Sequence, residues 1–261
     1  MDLVTDDDRS ATDVLDSMDQ VLDEAVPSAQ SRRTLMARAG CLLAAGSVLS
    51  VPDVAGAATA SSSSVVSVLT TFETFGVTLL TQAVKRAPGT PSAQFAGVVM
   101  AANSTEFDHL QALKKLGGKA LTTRFWIPDA VLDGGAGLFN AVAMQEEVEI
   151  STYLQGVTLA TSRRRPREAR LFAEALGTEA EHRVLARFAK ATILGTTATE
   201  VPNNRGFEAF KQHTPRAALA ASVKLGIGFG KQGATPGAFY EFPGDPQKTG
   251  TGAQLLTPRP T

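Results

Sequence analysis

Thr105-Glu106-Phe107-Asp108-His109 and Thr178-Glu179-Ala180-Glu181-His182 are two copies of one phrase. Each sets a glutamate and a histidine three positions apart. That offset puts both side chains on one face of a helix, within reach of a single ion. Working outward, the residue 33 positions before Glu106 is Glu73, and the residue 33 positions before Glu179 is Glu146. The spacing predicts two fused helical hairpins of one design, each carrying a lone glutamate and then a Glu-x-x-His.

The apolar period supports four helices. The first is expected over about 64–86, stopping before Pro88-Gly89, and the second over about 92–116, stopping at Gly117-Gly118. A connection of about 17 residues containing Trp126-Ile127-Pro128 leads to a third helix over about 136–161. The turn Arg163-Arg164-Arg165-Pro166 leads to a fourth over about 167–190, and its arginines read as solvated turn residues.

Each glutamate falls inside an apolar stripe. Glu73 shares its face with Val66, Leu69, Val77 and Leu80, and Glu106 with Val99, Ala102, Leu110 and Leu113. Glu146 does so with Phe139, Val142, Ile150 and Tyr153, and Glu179 with Phe172 and Ala175. A buried, unpaired carboxylate costs several kcal/mol, and converging carboxylates repel one another. A bound cation is the simplest remedy; a buried salt-bridge network without metal is the other.

Composition bounds the alternatives. The 261-residue chain is 43% hydrophobic and 20% charged with a formal net charge of −1, values of a soluble globular protein. Cys41 is the single cysteine, so neither an internal disulfide nor a cysteine zinc cluster is available. Only His109, His182 and His213 supply imidazole, so any metal site must lean on carboxylates, and His213 reads as a surface residue. Residues 61–261 carry a net charge of +5, but no basic stripe is interleaved with aromatics, and nucleic-acid binding is not expected.

The N-terminus reads as an address. Residues 1–30 hold nine acids and one base, an acidic disordered leader. In residues 31–60, Arg32-Arg33 precedes an apolar run from Leu35 to about Val51 and small residues ending in Ala58-Thr59-Ala60. This has the regions of an export signal, and Ser31-Arg32-Arg33-Thr34-Leu35-Met36 looks like a twin-arginine signal. Cleavage near Ala58 or Ser61 would leave an exported product in the periplasm, cell envelope or extracellular space. The twin-arginine translocase, which carries folded proteins, is the expected partner during export. Residues 194–261 are rich in Gly and Pro, as in Phe242-Pro243-Gly244-Asp245-Pro246. They read as an irregular C-terminal extension with one or two short helices between Phe207 and Lys224 and an extended wrap or tail.

The two Glu-x-x-His motifs, Leu69-Thr70-Thr71-Phe72-Glu73 and the run from Glu146 to Tyr153 resemble the bacterial ferritin-like domain family. These are di-iron carboxylate proteins, often found behind export signals. The ligand plan of such bundles is a glutamate from each of two helices and a Glu-x-x-His from each of the other two. The resemblance covers residues 61–193. It implies an all-α, antiparallel four-helix bundle with a long crossover between helices two and three. It also implies Glu73, Glu106, His109, Glu146, Glu179 and His182 as metal ligands, with Glu106 and Glu179 in bridging roles. On the third helix Glu147 is adjacent and Glu149 is one turn away; the 33-residue repeat favours Glu146, with Glu147 as the alternative. Asp108 and Glu181 occupy matched outer positions.

Two iron ions are the default cofactor by family analogy, with manganese or a mixed Fe/Mn pair as alternatives and zinc also compatible with the donors. Dioxygen or peroxide would be the co-reactants of a ferroxidase, a peroxide scavenger or an oxidase of a small substrate. A structural, storage or stress-protection module without turnover is the reading from another class. Assembly as a homo-oligomer is left open.

Overall fold

The computed structural model describes residues 62–256. The acidic leader, the signal segment and Cys41 lie outside the described residues. The four expected helices form, as α1 (Ser62–Arg86), α2 (Ala96–Lys115), α3 (Ala136–Ser162) and α4 (Pro166–Leu194). A short 3-10 turn, Pro91–Phe95, leads into α2. Gly117, at φ +86°, ends it, and the amide of Gly118 donates to the carbonyl of Leu113 at 3.0 Å. Only a residue tolerant of the left-handed region closes a helix in this way. Gly195, at φ +69°, does the same for α4.

The architecture is mostly helical with a small three-stranded sheet, which corrects the all-α expectation. Strand β1 (Arg124–Pro128) lies in the connection between α2 and α3. It pairs antiparallel with β2 (Gly228–Phe229) and β3 (Gly237–Glu241), in the order β2-β1-β3. Phe125 and Ile127 point one way and are fully buried. On the other face Trp126 packs edge-on against Phe239 and donates its Nε1 hydrogen to the carbonyl of Thr235 at 3.1 Å. The C-terminal extension is thus built into the fold. Its helix α5 (Pro215–Lys224) starts at Thr214, whose hydroxyl accepts from the amide of Ala217. Ala218 and Leu219 of α5 pack on Val68 and Phe72 of α1 and Val148 of α3. Farther on, buried Asn103 donates to the carbonyl of Thr251, and Ser104 accepts from the amide of Ala253.

This cover explains α1. The helix is apolar nearly all round, and Val65–Arg86 is long and apolar enough to cross a membrane by length and composition. Here it is mostly buried inside the fold, as a helix without a polar face must be. Its threonines hide their hydroxyls by donating to carbonyls one turn back, as Thr70, Thr74 and Thr78 do at 2.6–2.7 Å.

Two apolar clusters fill the space between the four long helices. One joins Phe75 and Leu80, Val99, Leu138 and Phe139, and Ala186 and Ala189, together with Phe125 and Ile127 of the sheet. The other joins Val65 and Leu69, Leu113, Tyr153 and Phe172. Every long helix contributes to both clusters. The order in which each passes from one to the other gives its direction. Helices α1 and α2 run oppositely, as do α3 and α4, while α2 and α3 run the same way. The connection carrying β1 therefore has to travel the length of a helix. Between the two clusters each helix carries its buried glutamates, so a polar layer lies between two oily ones.

Candidate metal centre

The lone glutamate of each hairpin and its Glu-x-x-His sit in that middle layer. Glu73, Glu106, Glu146 and Glu179 are all buried, His182 is buried and His109 nearly so. Their ligand atoms gather into three overlapping groups. Glu106, Glu146, Glu179 and His182 form one; Glu73, His109 and Glu179 form another; Glu73, Glu106, Glu149 and Glu179 form the third. Within each group the atoms lie within 4.8 Å of one another. Glu179 belongs to all three. Its Oε1 lies 2.7 Å from Nδ1 of His109 and its Oε2 lies 3.0 Å from Nδ1 of His182. Nδ1 of His182 is also 2.9 Å from Oε1 of Glu106 and 3.9 Å from Oε1 of Glu146. Nδ1 of His109 is 3.6 Å from Oε1 of Glu73.

Glu147 is placed elsewhere. One position along a helix turns the side chain by about 100°, so Glu147 faces away from the layer and pairs with Arg205 and Lys211. Burial opposes its ionisation, but Lys211 and Arg205 hold its carboxyl below the ordinary range. Glu149, three positions from Glu146, returns to the inner face and is 2% exposed. It is the fifth carboxylate of the layer, and Gln145 Nε2 donates to its Oε1 at 2.9 Å. Tyr153, one turn further on, donates its phenolic hydrogen to Oε1 of Glu73. Asp108 and Glu181 line the solvent-facing groove that exposes the edges of His109 and His182.

Electrostatics mark the layer as under-neutralised. Among the described residues, no lysine or arginine pairs with Glu73, Glu106, Glu146, Glu149 or Glu179. Burial, and then the neighbouring carboxylates, push Glu73, Glu146 and Glu149 well above the usual carboxylate range. Burial and the charge of Glu73 push the Tyr153 phenol up as well. Burial disfavours charge on His182, but Glu106 and Glu179 outweigh it and push its pKa up to about 10. His109 is likewise raised by Glu179 and Glu73 against the effect of burial. Glu179 is driven well below its ordinary value despite its burial, because both imidazoles face it. Oε2 of Glu73, of Glu146 and of Glu149 has no hydrogen-bond partner although each is buried. Orphaned, deeply buried carboxylate oxygens beside imidazole nitrogens are the donor set of a hard or borderline divalent cation. The cluster could hold a metal ion.

A strap from the C-terminal extension braces the layer from outside. Arg183, beside His182, is 3% exposed and donates both guanidinium arms to Glu208. Lys211 and Arg205 hold Glu147, and Gln155 donates to the carbonyl of Gln212 at 2.6 Å. These contacts tie the strap to α3 and α4, the helices whose inner faces carry Glu146, Glu149, Glu179 and His182. No protein-family model, curated protein or solved structure matches this chain.

Proposed function

We propose that residues 61–193 form a ferritin-like four-helix bundle whose middle layer holds a pair of divalent metal ions. Iron is the default, with manganese or a mixed pair as alternatives. The observation that carries the reading is the convergence of five buried carboxylates and two imidazoles with no lysine or arginine partner among the described residues. Two divalent cations would bring four positive charges to a layer whose crowded carboxylates repel one another when ionised. Glu179, which faces both imidazoles, and Glu106 are the bridging candidates; Glu73 with His109 and Glu146 with His182 would serve one ion each. Glu149 adds a carboxylate beyond the six of the repeat.

Redox-active ions in such a centre would supply electrons for the reduction of dioxygen or peroxide. Glu179 and Glu106 would set the spacing of the pair, and the two apolar clusters flank the layer on either side. Tyr153 holds Glu73 in one orientation through its phenolic hydrogen bond. We also propose that the product is exported by the twin-arginine route and cleaved near Ala58 or Ser61. N-terminal sequencing of secreted protein tests this, and an exported chain still beginning near Met1 would contradict it.

The reading is tested by metal analysis of protein purified without chelator, followed by titration with Fe(II) and Mn(II). Wild type should take up both ions, and the Glu106→Ala, Glu179→Ala double variant neither. A second reading, a structural module without turnover, is favoured by one observation. The raised His109 and His182 and the lowered Glu179 neutralise part of the layer without metal. Metal uptake without oxygen consumption by the Fe(II)-loaded protein would select it.

A further inference from the structure

Two openings reach the middle layer, and they differ in chemistry. The groove over His109 and His182 is wide, about 1080 Å³, and carries Thr105, Asp108, Glu174 and Glu181. Hydrated ions and small polar molecules can approach that way. The other opening is a cavity of about 210 Å³ between α1, α2, α3 and α4 on the side of the larger apolar cluster. Of the side chains that line it, only Glu146 and His182 are polar. Its inner wall is made by buried Leu80, Val99, Leu138, Phe139 and Ala186. Its mouth is made by Val98, Leu185 and Phe188, each between 43% and 47% exposed.

We propose that this cavity is the seat of a small, uncharged, apolar molecule, held with one end against Glu146 and His182. As the substrate class of the centre, the proposal rests on the metal reading above; as a binding site, it does not. The ion route needs no second channel, since the polar groove already exposes the imidazole edges. Water is a poor tenant of the cavity. A buried water needs two to four polar partners, and the cavity offers them only at its inner end. A dry apolar cavity of about 150 Å³ accommodates benzene, so about 210 Å³ suits a hydrocarbon or aromatic of similar or slightly larger size. A charged or strongly hydrated molecule would lose its solvation against leucine, valine and phenylalanine walls without replacement. Three half-exposed apolar side chains at the mouth give such a molecule a surface to meet before it enters.

The probe is fluorobenzene, followed by fluorine NMR on the full chain in three states: metal-free, Zn(II)-loaded and Mn(II)-loaded. Para-fluorobenzoate, similar in size but charged, is the control. Fluorobenzene should broaden in a saturable way with metal-free protein while para-fluorobenzoate does not. In the Mn(II) state its relaxation should rise further, because a paramagnetic ion at Glu146 and His182 lies at the inner end of the cavity. The Zn(II) state should lack that increase. Ala189→Phe, which fills the cavity, should weaken binding by about tenfold or more. Val98→Trp, at the half-exposed mouth, should do the same with little risk to folding. Wild-type broadening that neither variant reduces, or equal binding of para-fluorobenzoate, overturns the proposal. Saturable fluorobenzene binding with no uptake of Mn(II) or Zn(II) keeps the binding site and removes its role as a substrate site. Normal metal uptake with no fluorobenzene binding removes the cavity proposal and leaves the metal reading intact.

Discussion

The two hairpins of this chain are built on one plan and differ where it matters. Each residue of the α3–α4 pair has a counterpart 73 positions earlier in α1–α2: Glu146 matches Glu73, Glu179 matches Glu106, and His182 matches His109. By the same offset Glu149 matches Gly76, and Tyr153 matches Leu80. The second hairpin therefore brings an extra carboxylate and a phenol to the layer, where the first brings a glycine and a leucine. Gly76 is not an idle vacancy. A Cβ built there would sit 2.7 Å from Oε2 of Glu106, so the missing side chain is the space that Glu106 occupies. The repeat supplies a symmetric skeleton of donors, and the departures from it set which side is crowded with carboxylates and which side is open.

The sharpest way to break this comparison is a pair of charge-neutral variants. Glu179 is lowered in pKa and so stabilises the fold as a carboxylate; Glu149 is raised and so opposes it. Glu179→Gln should destabilise the metal-free protein by about 3–5 kcal/mol, the range for removing one partner of a buried ion pair. Glu149→Gln should leave the metal-free protein equally or more stable at neutral pH. Both should weaken metal binding, Glu179→Gln the more. Chemical denaturation in the presence of a chelator, and calorimetric titration with Mn(II), read the two effects separately.

Next in size is Tyr153→Phe. It removes the donor to Glu73 and leaves that oxygen buried without replacement. A hydrogen bond to a charged group contributes about 1.5–3 kcal/mol, so a loss near that range is expected in metal-loaded protein, where Glu73 is ionised. In the metal-free protein burial and the neighbouring carboxylates favour the neutral form of Glu73, so the loss should be smaller. Equal losses in the two states would detach Tyr153 from the centre.

pH provides a graded test. Glu73, Glu146 and Glu149 have raised values in the fold, so the stability they contribute is present below their ordinary range and fades as pH rises through the raised values. His182 adds stability that is fully present below about 6.5 and is lost as pH rises through about 10. Glu179 runs the other way, its contribution fading as pH falls below the ordinary carboxylate value. Metal-free protein should thus be most stable in mildly acidic solution and melt earlier as pH rises to 10. Metal binding displaces protons and tightens with pH. The gap in Tm between Mn(II)-loaded and chelated protein should therefore widen steadily from pH 5 to 8. A constant gap would contradict the protonation pattern.

The smallest effect is expected at the glycine. In Gly76→Ala the new methyl meets the end of a flexible side chain, so global stability should change by less than about 1 kcal/mol as Glu106 shifts. Metal affinity should nevertheless fall, because Glu106 moves. Alanine at the counterpart of that position in the other hairpin, Glu149→Ala, removes a group instead of displacing one, which separates crowding from ligation.

Much of this was legible in the sequence because it is periodic. The four helices lie within a few residues of their expected ends, since apolar spacing, Pro88-Gly89, Gly117-Gly118 and the arginine turn all act locally. The sheet was not legible. Arg124–Pro128 is a five-residue run whose partners come from the C-terminal extension, and nothing local marks that pairing. Nor did the Gly and Pro content of the extension disclose that Ala218 and Leu219 would cover α1. On α3 the crowding of Glu146, Glu147 and Glu149 obscured the inner face. The three-residue step from 146 to 149 was the available signal, and the outward turn of Glu147 follows from the same geometry. Tyr153 could be placed on the apolar stripe, but its contact with Glu73 spans 80 positions and depends on how α1 and α3 pack.

Anomalous diffraction from crystals of the protein soaked in Mn(II) would locate the ions themselves. Two anomalous peaks are expected in the middle layer, both within coordination distance of Glu179, one beside His109 and the other beside His182. Soaked crystals with an ordered Glu179 and no anomalous density between the two apolar clusters would contradict the metal reading.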